Sequence, residues 1–144
     1  MSNKKSNFSK ILVPLDGSKY SEKALQRAIE IGNSFDSEIV LLYVIEKSLP
    51  VTFLDRKEYL KILRKFGNKT LKNADELLSK KGFTGKILLK EGNIVNEIEK
   101  VVKKEKCSLV VVGSKGLGAV TRFLLGSVSN KLAQTTSCSL LIVK

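Results

Sequence analysis

Histidine is absent from this chain, and cysteine and proline occur only twice each. The missing histidine is the most restrictive, because it removes the commonest metal ligand and the usual general base near neutral pH. Two cysteines, Cys107 and Cys138, are too few for a zinc site in a chain without histidine. Each falls just before or at the start of an apolar run, the setting of a small, mostly buried thiol in a reducing compartment. No apolar run approaches the roughly 18 residues a membrane span needs. The N-terminal MSNKKSNFSK is polar and basic, with no apolar core for a signal peptide. These absences make cytoplasmic residence the expectation.

What is present is a globular balance: 144 residues, 42% hydrophobic and 28% charged. That is the length of one domain. The formal net charge of +12 raises the question of a nucleic-acid surface. Its densest part lies between Arg56 and Lys81, but Asp55, Glu58, Asp75 and Glu76 are interspersed with it, and there is no aromatic interleaving of the kind that stacks bases. The charge is read as a solvated helix face rather than a nucleic-acid site.

Strand and helix signals alternate along the chain. Residues 1–9 look like a loose leader, and 10–144 form a single domain. Ile11–Leu15 is a short apolar strand ended by Asp16-Gly17-Ser18. The apolar positions Ala24, Leu25, Ala28, Ile29, Gly32 and Phe35 then follow a helical period, with Ser18 or Ser21 to cap its start. Glu38–Val44 is nearly continuous in hydrophobicity, as for a strand covered on both faces. A connection over 46–54, irregular at Pro50, leads to a long basic helix from about Asp55 to Lys80. Tyr59 or Leu60, Leu63, Phe66, Thr70 or Leu71, Ala74, Leu77 and Leu78 supply its buried stripe, and Gly82 ends it. Lys86–Lys90 reads as a lysine-flanked edge strand. Asn93 caps a helix burying Ile94, Val95, Ile98, Val101 and Val102. Ser108–Val112 is a fourth strand, Ser127 to about Gln134 a helix burying Val128, Leu132 and Ala133, and Leu140–Val143 the last strand. This β-α alternation implies a single-domain α/β fold: an open, parallel, five-stranded sheet with helices on both faces.

The stretch LVVVGSKGLGAVTRFLLGSVS, Leu109 to Ser129, carries the most chemistry. Glycines follow an apolar strand and lead into a helix. Glycine permits positive φ and close approach to backbone N–H groups, and a helix start adds unpaired donors. The stretch therefore fits a phosphate cradle or a strand-to-helix loop that needs glycine only to turn. In an open parallel sheet, ligands bind beyond the carboxyl ends of strands where the order reverses. Asp16-Gly17 after the first strand and Gly113–Gly118 after the fourth would line one crevice in the order 3-2-1-4-5. The order 2-1-3-4-5 would instead bring in Glu91-Gly92-Asn93, which offers less. The loop is neither a P-loop nor the dinucleotide fingerprint.

Together, VPLDGS at the first strand and Gly113-x2-Gly116-x9-Gly126-Ser127 closely resemble the ATP-binding branch of the universal stress protein family, whose G-2x-G-9x-G-[ST] motif is complete here. The resemblance covers essentially the whole chain from Lys10. It implies the order 3-2-1-4-5, the Rossmann-like architecture shared with the adenine nucleotide α-hydrolases, and a bound ATP with Mg or Mn on its phosphates. By position, Pro14 and the Val44 backbone would border adenine, and Asp16 would face the ribose hydroxyls. Gly113, Ser114, Lys115, Gly116, Leu117, Gly118 and Ala119 would wrap ribose and phosphates, with Gly126 leading into Ser127, Val128 and Ser129 at the phosphate tail. Asp16 also suits a role as helix cap, and Ser127 suits capping and phosphate binding together. Lys115 and Arg122 each fit either a phosphate contact or solvent. No catalytic residue is expected, so the protein is read as a stress-response switch occupied by ATP, with hydrolysis slow or partner-dependent. The alternative is an ATP-hydrolysing or phosphate-transferring enzyme of the α-hydrolase group. The resemblance further implies a homodimer paired through the last strand, around Leu140–Val143, and an additional protein partner stays open.

Overall fold

The computed structural model describes residues 8–47, 55–117 and 124–144. The expected irregular connection at Pro50 lies outside them, apart from its first residues. In chain order the elements are β1 (Lys10–Leu15), α1 (Lys19–Phe35), β2 (Glu38–Glu46), α2 (Arg56–Lys80), β3 (Gly85–Gly92), α3 (Ile94–Glu105), β4 (Leu109–Gly113), α4 (Ser127–Thr135) and β5 (Ser139–Val143). The five strands form one parallel sheet in the order β3-β2-β1-β4-β5. This is the order expected from the sequence.

Because alternate strand residues face opposite sides, the sheet buries two cores. Ile11, Val13 and Leu15 of β1 and Ile39, Leu41 and Ile45 of β2 pack beneath α1 and α2. On the other face Leu12, Val40, Leu42, Val110 and Val112 meet Ile98, Val101 and Val102 of α3 and Leu132 of α4. Near-continuous hydrophobicity in β1, β2 and β4 follows directly from this double cover. β3 and β5 are the edges. Lys86 on β3 is held by Glu105 at 3.0 Å.

Several expected core positions lie elsewhere. Phe35 is 47% exposed at the end of α1, where it meets Phe8 edge-on at 5.1 Å. Phe8 and Ser9, expected in the loose leader, are engaged: Ser37 Oγ donates to the Phe8 carbonyl and the Glu38 N–H to the Ser9 carbonyl. On α2, Phe66 is 42% exposed and Gly67 takes the buried position beside it, since a Cβ there would stand 2.7 Å from the Tyr43 ring. Ala133 of α4 is exposed, and Ser129 is buried in its place.

The β1–β4 junction positions the site. The β1 ladder with β2 runs on to Leu15 opposite Tyr43, whereas the ladder with β4 covers only Ile11 and Leu12. Pro14 follows two residues later and has no N–H to donate. β1 and β4 therefore part company beyond Leu12, at the point where the chain's crossovers change side, and the gap opens toward their carboxyl ends.

Candidate functional site

A cavity of about 630 Å³ occupies that gap, between the ends of β1, β2 and β4 and the start of α4. Its size is in the range of small-ligand sites. Pro14, Val44 and Val112 give it apolar walls, while Asp16, Lys115, Gly116 and Ser127 supply polarity.

Asp16 leaves the end of β1 and joins two loops far apart in sequence. One carboxylate oxygen accepts the Ser18 N–H at 2.9 Å, and the other accepts the Leu117 N–H at 3.1 Å. The first bond is a local turn; the second pins the segment after β4 to the end of β1. The cap of α1 is Ser18, whose hydroxyl accepts the Ser21 N–H at 3.2 Å, so Asp16 is not itself the cap. Tyr43, on the neighbouring β2, also lines the cavity, and burial followed by the negative charge of Asp16 raises its phenol pKa. A phenol so placed stays protonated and remains a donor.

The glycines of Leu109–Ser129 act by close approach. Among the described glycines, positive φ occurs at Gly17, Gly82 and Gly92, not at Gly113, Gly116 or Gly126. A Cβ on Gly113 would lie 2.7 Å from the Tyr20 carbonyl carbon of α1, and one on Gly116 would lie 2.6 Å from the Asp16 carboxylate. Close packing, not a positive-φ turn, is therefore what requires glycine at 113 and 116. Gly118 and Ala119, and Arg122 with them, lie outside the described residues.

α4 begins at Gly126, whose extended backbone is followed by the first helical residue, Ser127. Ser127 is thus not the N-cap, and no side chain caps this helix. The first intrahelical bond runs from the Asn130 N–H to the Gly126 carbonyl at 3.0 Å. The N–H groups of Ser127, Val128 and Ser129 consequently have no acceptor within the helix. The helix is held by tethers to β4 and the residue after it: the Gly126 N–H donates to the Ser114 carbonyl at 2.6 Å, and Ser129 Oγ to the Gly113 carbonyl at 2.5 Å. Ser114, 2% exposed, also donates its N–H to the Val143 carbonyl at 2.8 Å and stands behind the cavity wall. The arrangement sets free donors and a positive helix end beside an apolar slot with one carboxylate, chemistry suited to a flat apolar group carrying hydroxyls and an anionic tail.

Of the residues singled out from the sequence, Pro14, Asp16, Val44, Gly113, Lys115, Gly116, Leu117, Gly126, Ser127, Val128 and Ser129 line this one cavity. Tyr43, Glu46, Leu63, Ile94 and Leu125 line it as well and were missed. Four of these five are aromatic or aliphatic, the composition of a core rather than of a site. Glu46, an acidic residue closing an apolar strand, was the detectable signal. It also borders a shallower groove of about 370 Å³ with Asn93, Asn96 and Lys131.

The family model for the universal stress protein family matches residues 7–144. Universal stress protein YxiE of Bacillus subtilis is 34% identical over 149 aligned residues, spanning 95% of this chain and 99% of its own. Among solved structures, universal stress protein UspA from Lactobacillus plantarum superimposes with a TM-score of 0.88 at 22% identity, covering 96% of this chain and 99% of that one. A universal stress protein in complex with cAMP gives 0.75 at 24% identity, over 96% and 99%. A universal stress protein family protein from Arabidopsis thaliana with AMP bound gives 0.67 at 21%, over 94% and 91%. At these identities the structural likenesses establish the shared fold.

Proposed function

The chain belongs to the universal stress protein family, and on that premise we propose that its cavity binds an adenine nucleotide, ATP first among them, as an occupancy switch with slow or no hydrolysis. The observation that carries this reading is the pairing of Asp16 with the uncapped start of α4 across one apolar slot. Pro14 and Val44 suit the purine, and Asp16 suits ribose hydroxyls by exchanging its Leu117 partner or adding to it. The backbone donors of Ser127, Val128 and Ser129 and the Ser127 hydroxyl suit phosphate oxygens. The hydroxyl hydrogen of Ser129 is spent on Gly113, so only its N–H is assigned to the ligand. Mg or Mn enters in this reading with the phosphates. Two structural neighbours, with cAMP and with AMP bound, support an adenine nucleotide as the ligand class.

Nucleotide released from protein purified without added ligand, identified by mass spectrometry, is the direct test. Retained ATP is expected, and failure to bind any adenine nucleotide on titration sinks the reading. The hydrolytic alternative has Glu46 in its favour, a second carboxylate on the cavity wall. Fast, partner-free ATP turnover that collapses in Glu46→Gln would establish that alternative and remove the switch.

The proposed assembly is a homodimer through β5. This edge strand keeps Leu140, Leu141 and Ile142 only partly buried, and an apolar edge favours pairing. Leu141→Lys is expected to halve the mass measured by light scattering; an unchanged dimer mass refutes this interface.

A further inference from the structure

Beside the cavity runs the second groove, of about 370 Å³, which is within the range of small-ligand sites. It shares Glu46, Ile94, Ser127 and Val128 with the cavity, so the two hollows meet over the first turn of α4. Only the groove is lined by Asn93, Val95 and Asn96, around the start of α3, and by Lys131 of α4. Lys131 follows Ser127 by four residues and so stands one turn further along the same helix face. Among the described residues, no carboxylate lies within ion-pair distance of its ammonium group. The Asn93 side-chain oxygen is committed to the Asn96 N–H at 3.0 Å. That leaves the groove the Asn93 NH2 group and the side-chain amide of Asn96.

Two slots therefore share one uncapped helix start, and they are alike in kind. The cavity sets Pro14, Val44 and Val112 beside one carboxylate, Asp16. The groove sets Ile94, Val95 and Val128 beside another, Glu46. A recess for bare phosphate concentrates positive charge and excludes carboxylates. Here the one ammonium, Lys131, is matched by Glu46, and the remaining lining is aliphatic or amide. That is the chemistry of a neutral sugar and base: a carboxylate accepts from sugar hydroxyls, amides bond to a base edge, and aliphatic side chains cover a ring face.

We propose that the protein binds a dinucleoside polyphosphate, with one nucleoside in the cavity, the phosphate chain over the start of α4 and the second nucleoside in the groove. The proposal rests on the adenine-nucleotide reading of the cavity. Lys131 stands where the chain leaves the α4 donors for the groove, and it neutralises a phosphate beyond the three of ATP. Asn93, Asn96, Ser127 and Lys131 are all exposed, so the second nucleoside keeps one side in water and adds a modest share of the affinity.

The test is isothermal titration of the full-length protein with ATP, adenosine tetraphosphate, and diadenosine tri-, tetra- and pentaphosphate. The best of the dinucleotides is expected to bind about tenfold tighter than ATP, beyond the roughly twofold that two equivalent ends supply, from apolar contact less the cost of ordering. Adenosine tetraphosphate, which has the added phosphate but no second nucleoside, is expected to gain only about threefold. The double variant Asn96→Ala/Lys131→Ala is expected to return the dinucleotides to within about twofold of ATP. Its ATP affinity and melting temperature are expected to stay unchanged, because neither residue lines the cavity. Dinucleotides no tighter than ATP, adenosine tetraphosphate equal to the best of them, or a preference that survives the double substitution would each overturn the second nucleoside site while ATP binding stands. Failure of all five compounds to bind would instead remove the adenine-nucleotide reading, and this inference with it.

Discussion

α3 and α4 pack on the same face of the sheet and contact each other, yet they begin in opposite ways. α3 closes on itself: Asn93 turns its side chain back to accept the Asn96 N–H at 3.0 Å. α4 has no such side chain, and its start is held from outside by the Gly126 and Ser129 bonds to the end of β4. The same backbone need is met at α3 by the helix's own cap. At α4 the positioning is done by a neighbouring strand, which leaves the donors facing the cavity. This contrast separates a helix start built for stability from one left available to an anion.

The largest effect is expected from cutting a tether. Ser129→Ala removes a buried hydroxyl and strands the Gly113 carbonyl, and an unsatisfied buried group costs about 1–3 kcal/mol. Urea unfolding is expected to show that loss with an unchanged slope, and nucleotide affinity is expected to fall because α4 is no longer held in register. If stability falls while affinity stays, the tether does not position the donors.

Next is Gly116→Ala. Its Cβ would stand 2.6 Å from the Asp16 carboxylate, which is a side-chain tip and can swing away. The protein is therefore expected to stay folded, with its melting temperature little changed, while losing the Asp16–Leu117 bond. Isothermal titration is expected to show nucleotide binding weakened about tenfold, or about 1.4 kcal/mol. Unchanged affinity would mean that Asp16 does not contribute to the ligand.

The contrast between α3 and α4 was only half legible in the sequence. Asn93 announced its cap, because asparagine before an amphipathic period has few other readings. At α4, Ser127 carried the same signal and was misleading: Gly126 supplies the cap position, and Ser127 is one residue inside the helix. The sheet order was readable because Asp16-Gly17 and Gly113–Gly118 had to meet, and they do at Asp16 and Leu117. The reason for the glycines was not readable. Close approach of Gly113 to Tyr20 depends on how α1 lies against β4, which no local pattern encodes. Phe66 and Phe35 failed for a related reason: a helical period locates an apolar stripe but not the stripe's edge, and both rings sit at such edges, on Gly17 and Phe8 respectively. Tyr43 and Ile94 were hidden because a cavity wall and a core share one composition.

The smallest effects give the sharpest discrimination, because they oppose two serine- and asparagine-bearing helix starts of nearly equal chemistry. Asn93→Ala removes a cap that is in use, so it is expected to cost about 1 kcal/mol of stability. Nucleotide affinity is expected to stay put, because the cap's bond lies within α3 itself. Ser127→Ala removes an exposed hydroxyl that caps nothing, so stability is expected to change by less than about 0.5 kcal/mol. Its hydroxyl is nonetheless proposed to meet a phosphate, and losing one such hydrogen bond is expected to weaken ATP binding about fivefold, close to 1 kcal/mol. The two variants should therefore separate cleanly when thermal melts and titrations are run in parallel, one moving only the first readout and the other only the second. Should Ser127→Ala destabilise the fold like Asn93→Ala while leaving affinity intact, α4 would be an ordinary capped helix, and the anion would have to be held elsewhere.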